Sequence, residues 1–99
     1  MADFEWDSKK ESLNLQKHGI DFTTASPIWD SLVSERSDDR HDYGETRFIA
    51  FGVAEGRVLA VVSTWRRGIR RIISARVANS RERTLYEEEI AYRGHSPPD

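Results

Sequence analysis

The chain has 99 residues, no cysteine and a formal net charge of −2, and 37% of its residues are hydrophobic. This length suits one domain, and the lack of cysteine excludes disulfides, thiolate metal sites and a cysteine nucleophile. No apolar run approaches the roughly 18 residues of a membrane-spanning helix, and the first residues do not have the pattern of a secretory signal. We therefore expect a cytoplasmic protein without membrane contact, folded as one domain over residues 1–93, with a disordered tail over residues 94–99.

The charges are divided unevenly along the chain. Residues 57–83 contain eight arginines and a single acidic residue, Glu82, whereas residues 1–56 contain six basic and twelve acidic residues. Arginine binds phosphate through two parallel hydrogen bonds, so a concentrated set of arginines favours a phosphate-binding surface. The alternative is that these arginines neutralise the acidic first half within the fold, and the sequence leaves both open.

The first third of the chain predicts a short strand and two helices. Residues 4–6 alternate apolar and polar side chains, as a strand does. Asp7 is a suitable N-cap for a helix over Ser8–His18, and Gly19 stands just past its end. A second short helix is expected, interrupted by a kink or a new start at Pro27. Its shared apolar face consists of Phe22, Ala25, Trp29 and Leu32.

The remainder predicts a β-sheet and a last helix. After an acidic surface loop over residues 37–44, strands are expected over residues 46–53, 57–65 and 69–76, with a short edge strand over residues 34–36. Strict alternation in the last strand places Ile72 and Ala75 on opposite faces. Asn79 and Glu82 have capping-box spacing and predict the start of the last helix. The fold class is therefore α+β, with helices packed on an antiparallel sheet.

The end of the first helix offers one candidate site. Histidine is the side chain most often used as a general acid or base, so His18 is a candidate for that role, with Lys17 on a phosphate. The alternative is that both residues are cations placed favourably at a helix C-terminus.

The junction between the last strand and the last helix offers a second candidate. Arg76 is expected to point towards Arg83 and Tyr86, where an anion could be held and developing charge stabilised. The alternative is a structural ion pair of one of these arginines with Glu82 or Glu87.

A third candidate is the basic hairpin over residues 66–71, which begins beside Trp65. Single-stranded RNA binds through bases stacked on aromatic rings and phosphates paired with arginine, so this hairpin is predicted to bind RNA. The alternative is an exposed turn beside a half-buried tryptophan. The acidic loop matches no closed metal site, so we expect neither a metal nor a cofactor; its possible ligands are Asp38, Asp39, His41 and Asp42.

Further motifs are spread over residues 4–86. They are Phe4-Glu5-Trp6-Asp7, Lys10, Asn14, Lys17-His18-Gly19-Ile20, Phe22, Ala25, Glu45, Arg47, Ile72-Ile73-Ser74-Ala75-Arg76, Glu82-Arg83 and Tyr86. In this order and spacing they resemble the BrnT family, bacterial toxins of type II toxin–antitoxin pairs. The resemblance implies a fold similar to the RelE-type ribonuclease toxins and an endoribonuclease activity that blocks translation and growth. It also implies neutralisation by a BrnA-like antitoxin with a ribbon-helix-helix DNA-binding domain, through which alone promoter DNA is bound.

The resemblance and the residue chemistry together give the predicted site. RNA cleavage needs no metal when the neighbouring 2′-hydroxyl is the nucleophile, but it needs a base, positive charge and an acid. The predicted catalytic residues are His18, Arg76, Glu82, Arg83 and Tyr86. The predicted RNA-binding residues are Lys17, Arg47, Arg66, Arg67, Arg70 and Arg71. The alternative function is a non-catalytic binding module or co-repressor partner of a DNA-binding antitoxin.

Overall fold

The computed structural model describes residues 3–40 and 42–94. The elements follow the predicted order and are β1 (Phe4–Glu5), α1 (Ser8–His18), α2 (Phe22–Ala25), a 3-10 helix (Ser26–Asp30), β2 (Ser34–Ser37), β3 (Phe48–Ala54), β4 (Arg57–Arg66), β5 (Ile69–Val77) and α3 (Ser80–Gly94). Of the predicted tail, Gly94 ends α3 and residues 95–99 lie outside the described residues. Within the described ranges, no helix has the length and apolar character needed to cross a membrane.

The sheet has five strands in the order β1-β5-β4-β3-β2. The α+β prediction is confirmed, and strands β2 to β5 are antiparallel as expected. The sheet is nevertheless mixed, because β1 pairs in parallel with β5 through Phe4 opposite Arg70 and Glu5 opposite Arg71. A parallel pair needs a long crossover, and the helices and strands between β1 and β5 provide it.

Both tight hairpins turn at two residues with positive φ. Glu55 and Gly56 have φ of 52° and 74°, and Arg67 and Gly68 have φ of 53° and 77°. Two successive positive φ values define the turn whose twist matches that of paired antiparallel strands. Both turns fall in the gaps between the predicted strands, and they set the register of β3, β4 and β5.

The two faces of the sheet are covered by different helices. On the back face, α2, the 3-10 helix and the loop before them bury Ile20, Phe22 and Ile28 against Leu59 and Val61. On the front face, α3 covers one end through a smaller cluster of Ile49, Phe51, Val58, Ala60, Ala78 and Tyr86. The predicted apolar helical face ends early, because the 3-10 helix stops at Asp30 and leaves Leu32 half exposed.

A β-bulge in β5 changes the face on which its side chains lie. Val62 pairs with Ser74 and Ser63 pairs with Ile72, which leaves Ile73 without a partner residue in β4. Ile72 and Ala75 therefore lie in the same back-face core, and the predicted strict alternation is wrong here. The consequence is that Arg76, opposite Ala60, lies on the front face and faces α3.

Helix α1 is attached to β5 by one buried amide. The Asn14 side chain donates from Nδ2 to the carbonyl oxygens of Ile20 and Ala75, at 2.8 and 2.7 Å, and its Oδ1 accepts from the Ala75 N–H at 3.1 Å. Asn14 therefore pairs with the backbone N–H and carbonyl of Ala75, which the edge of β5 would otherwise leave without a partner. Ala75 is the residue before Arg76.

Candidate functional site

A groove of about 260 Å³ lies on the front face, between the loop after β2 and the start of α3. Ile49 and Phe51 of β3 form an apolar part of its lining. Its charged lining residues are Arg36, Asp38, Asp39, Arg40, Arg76 and Glu82. The groove thus combines charges from β2, β5, α3 and one loop, and it includes two of the predicted catalytic residues.

Arg76 and Glu82 form a paired unit in this groove. The guanidinium donates to both carboxylate oxygens of Glu82, at 2.7 and 2.9 Å, with the two side chains 35% and 20% exposed. The structural ion pair that the sequence left open is therefore present. The hydrogen bond between them lowers the pKa of Glu82 and raises that of Arg76, so both are charged at neutral pH.

The start of α3 fixes the carboxylate. Asn79 Oδ1 accepts from the Glu82 N–H at 2.8 Å, and Glu82 Oε1 accepts from the Asn79 N–H at 2.9 Å. This reciprocal arrangement is the predicted capping box. It holds Glu82 in a position from which both its oxygens meet Arg76.

Two further arginines, both outside the predicted site residues, face the groove. Arg40 is bound by Asp38 through two hydrogen bonds of 2.8 and 2.9 Å. Arg36 lies above the Phe51 ring, 5.6 Å from its centroid. Alternation within β2 is the available signal for Arg36, whereas Arg40 lies in the predicted acidic surface loop, where the sequence carries no such signal.

Arg83 and Tyr86 do not join the Arg76–Glu82 pair as the spacing predicted. Arg83 lines a separate hollow of about 340 Å³ together with Arg57 and Glu87. Tyr86 is buried and donates its hydroxyl hydrogen bond to the Leu32 carbonyl at 2.9 Å. Burial raises the pKa of Tyr86, so the phenol is neutral at physiological pH.

Lys17 and His18 are exposed at the end of α1, a helix that packs on β5 and is bonded to Ala75 of that strand through Asn14. Gly19 follows with φ of 72° and donates its N–H to the Leu15 carbonyl, as a helix cap does. The preference of a helix C-terminus for cations therefore accounts for their position. Their predicted roles towards RNA stay predictions.

Arg70 of the basic hairpin is an internal structural residue. Its guanidinium donates to Glu35 at 2.7 Å and to the Ser63 hydroxyl at 3.0 Å. The same group lies 4.3 and 4.4 Å from the ring centroids of Trp29 and Trp65, and its side chain is 11% exposed. The aromatic neighbour that suggested base stacking is occupied by this arginine.

Other arginines predicted to bind RNA have acidic partners too. Arg71 binds Glu5 at 3.0 Å, and Arg66 binds Glu45 at 3.1 Å. Arg47 also binds Glu45, at 3.3 Å, while Arg67 is exposed in its turn. Some arginines of the basic stretch therefore neutralise acidic residues in the first half of the chain. Arg66 is paired in this way, but its side chain is still 47% exposed.

The acidic loop contains the residues with metal-binding side chains that the sequence offers. His41 lies outside the described residues. Among residues 3–40 and 42–94, no three His, Asp or Glu side chains come close enough together to hold a metal ion.

Comparison with known proteins identifies a family that this sequence matches. Residues 6–82 match the model of a family described as ribonuclease toxin, BrnT, of type II toxin–antitoxin system. Among solved structures, the 1.1 Å crystal structure of the Brucella abortus ribonuclease toxin BrnT is similar, with 24% identity and a TM-score of 0.60. The match covers 81% of this chain and 100% of that chain, and at this identity it concerns the fold. No curated protein sequence matches.

Proposed function

Because the chain belongs to the BrnT family of ribonuclease toxins of type II toxin–antitoxin systems, we propose that it cleaves RNA without a metal ion, in the front-face groove around Arg76 and Glu82. The family implies an antitoxin partner. We further propose that this partner is a BrnA-like protein with a ribbon-helix-helix domain, that it alone contacts promoter DNA, and that the toxin acts in the cytoplasm. A fold similar to the RelE-type toxins stays a prediction.

The observation that carries the proposal is the two-pronged contact between Arg76 and Glu82 in an accessible groove. A phosphate offers arginine the same pair of acceptor oxygens as a carboxylate. Glu82 occupies two of the five N–H donors of Arg76, so an RNA phosphate can bind the remaining donors. The Glu82 carboxylate is then beside the phosphate and available as a base.

The proposed reaction is internal transesterification. The 2′-oxygen forms a bond to phosphorus, its proton passes to Glu82, and the bond from phosphorus to the 5′-oxygen breaks. The products are a 2′,3′-cyclic phosphate and a 5′-hydroxyl, whose proton comes from water in this scheme. Arg76 stabilises the charge that develops on the phosphate oxygens.

The other predicted site residues have different positions relative to this groove. We propose that Arg66 and Arg67 contact RNA beyond the groove, since both are exposed at the β4–β5 turn. His18 and Lys17 at the end of α1, and Arg83 in its separate hollow, lie outside the groove lining. We therefore expect their replacement to reduce cleavage less than replacement of Arg76.

The test uses a matched pair of arginine variants. The parent, Arg76→Ala and Arg57→Ala are purified without partner and incubated with RNA in excess EDTA. Arg57 is the control position because it is an exposed arginine at the hairpin between β3 and β4. We expect cleavage by the parent and by Arg57→Ala, and loss of cleavage in a folded Arg76→Ala. Growth arrest on expression should follow the same order and be relieved by a co-expressed antitoxin.

Two outcomes would contradict the proposal. A folded Arg76→Ala that cleaves as fast as the parent would remove the site. No cleavage by any variant, together with DNA or partner binding that weakens steeply with salt, would favour the non-catalytic co-repressor role.

A further inference from the structure

We propose that Arg36 and Arg40 form, together with Arg76, one binding site for the RNA phosphodiester backbone, and that the buried Asp38 is the residue that positions Arg40. This inference rests on the proposed function and adds to it two binding residues and a positioning residue outside the predicted site.

The first observation is the way Arg40 is held. The Asp38 side chain is 2% exposed, whereas the Arg40 side chain is 65% exposed. Asp38 accepts from Nε and one terminal nitrogen of Arg40, and its backbone N–H donates to the Arg47 carbonyl at 2.7 Å. A buried carboxylate is costly unless it is paired, so Asp38 holds this exposed guanidinium in one orientation.

The same arrangement occurs on the other side of the groove. Glu82 is less exposed than Arg76, so there too the carboxylate lies under the guanidinium and the arginine is nearer to solvent. The positive charges thus face the groove while two of the negative charges lie beneath them. An arginine has five N–H donors, and a two-pronged carboxylate contact uses only two of them.

The second observation is that the arginines converge. Arg36, Arg40 and Arg76 line the same groove of about 260 Å³. Guanidinium groups near one another repel, and an anion bound between them replaces that repulsion by attraction. Asp39 also lines the groove and opposes an anion.

The surroundings favour RNA over a lone anion. A neighbouring hollow of about 230 Å³ shares Arg36, Phe51 and Glu82 with the groove and continues along Leu85 and Tyr86. Arg36 is exposed and lies over the buried Phe51 ring, 5.6 Å from its centroid. A base next to a bound phosphate can therefore stack on the planar guanidinium of Arg36 and contact the half-exposed Leu85, and stacking on arginine is one way in which unpaired RNA bases are held.

The test measures binding of an RNA oligomer whose 2′-hydroxyls are all methylated. This RNA has no free 2′-hydroxyl nucleophile, so binding is observed apart from cleavage. We expect Arg40→Ala to weaken affinity about tenfold and to reduce the salt slope by about 1, as loss of one phosphate contact does. Arg40→Lys should restore the slope and part of the affinity, and Arg57→Ala is the matched control.

Asp38→Asn separates positioning from simple charge. It removes a negative charge, so bulk electrostatics alone predicts tighter RNA binding. We expect weaker binding instead, with the salt slope kept, because Arg40 loses its fixed orientation. Adding Asp38→Asn to Arg40→Ala should then not weaken binding further, because no Arg40 guanidinium is left to position, while Asp39→Asn should strengthen binding. Thermal unfolding shows that each compared variant is folded.

The outcomes are distinguishable from those of the proposed function. Arg40-dependent binding of methylated RNA by a protein that cleaves no RNA would preserve this site and overturn the ribonuclease proposal. Equal RNA affinity and salt slope for folded Arg40→Ala and Arg57→Ala would overturn the site. Unchanged RNA binding with loss of antitoxin binding in Arg40→Ala would also overturn it, by assigning the groove to an acidic protein segment.

Discussion

Replacing Asn14 by alanine is expected to detach α1 from the edge of β5. The Asn14 side chain makes three hydrogen bonds to backbone groups of Ile20 and Ala75, and these residues are 1% and 0% exposed. The substitution leaves one N–H donor and two carbonyl acceptors without this partner. The perturbation therefore acts on a link between distant segments rather than on the helix alone.

The expected cost is about 3 kcal/mol of unfolding free energy. Each buried backbone group left without a partner costs about 1–3 kcal/mol. Asn14 is itself 7% exposed, so water can reach part of the site and the lower end of that range applies to each of the three groups. For a domain of about 100 residues, this corresponds to a fall in Tm of roughly 12–24 °C.

The measurement is urea unfolding followed by the fluorescence of the three tryptophans. Gln16→Ala is the matched control, since it removes a similar amide from an exposed position of the same helix and should cost less than about 0.5 kcal/mol. If Asn14→Ala costs no more than Gln16→Ala, the reasoning that this amide anchors α1 is refuted.

Three further substitutions test other parts of the structure. Gly52→Ala would place Cβ 2.8 Å from Ile28 Cβ, so we expect a loss of about 1–3 kcal/mol in thermal or urea unfolding; an unchanged midpoint would contradict this packing. Tyr86→Phe loses the hydroxyl contact with the Leu32 carbonyl, so about 1 kcal/mol of stability should be lost with cleavage retained; cleavage lost at full stability would make the hydroxyl catalytic. The pKa of Glu82 is lowered from 4.5 in the folded state, so its ionised form stabilises the fold above that pH and this contribution is lost as pH falls through the folded pKa. The stability gap between the parent and Glu82→Gln in urea unfolding should therefore shrink from pH 7 to about pH 3, and a gap independent of pH would refute it.

The element order could be predicted because its signals are local. Asp7 accepts hydrogen bonds from the N–H groups of Lys9 and Lys10, as an N-cap does. Gly19 ends α1 and Asn79 begins α3 through contacts within a few residues. Such contacts depend on neighbouring residue types, which the sequence displays directly.

The face of β5 on which Arg76 lies could not be predicted from the alternation within that strand. It depends on the bulge at Ile73, and that bulge depends on how β5 pairs with β4 rather than on the apolar pattern of β5. Without it, Arg76 would share a face with Ile72. One residue of β5 without a partner in β4 thus decides which face of the sheet carries Arg76.

The partners of the arginines were likewise beyond the sequence. Arg70 binds Glu35, which is 35 residues away, and Arg71 binds Glu5, which is 66 residues away. Charge counting cannot tell such pairs from free cations. Arg40 is a different case, because its partner Asp38 is only two residues away in the sequence. What the sequence does not show is that Asp38 becomes buried in the folded protein and holds Arg40 at the groove.

The most direct test of the central claim is the chemistry of the RNA ends produced in excess EDTA. The parent, Arg57→Ala and Arg76→Ala are incubated with an RNA oligomer, and the product termini are identified by mass spectrometry. We predict 2′,3′-cyclic phosphate and 5′-hydroxyl ends from the parent and Arg57→Ala, and intact RNA from a folded Arg76→Ala. Cleavage that requires an added divalent metal, or the same products from Arg76→Ala at the parent rate, would contradict metal-free cleavage at this groove.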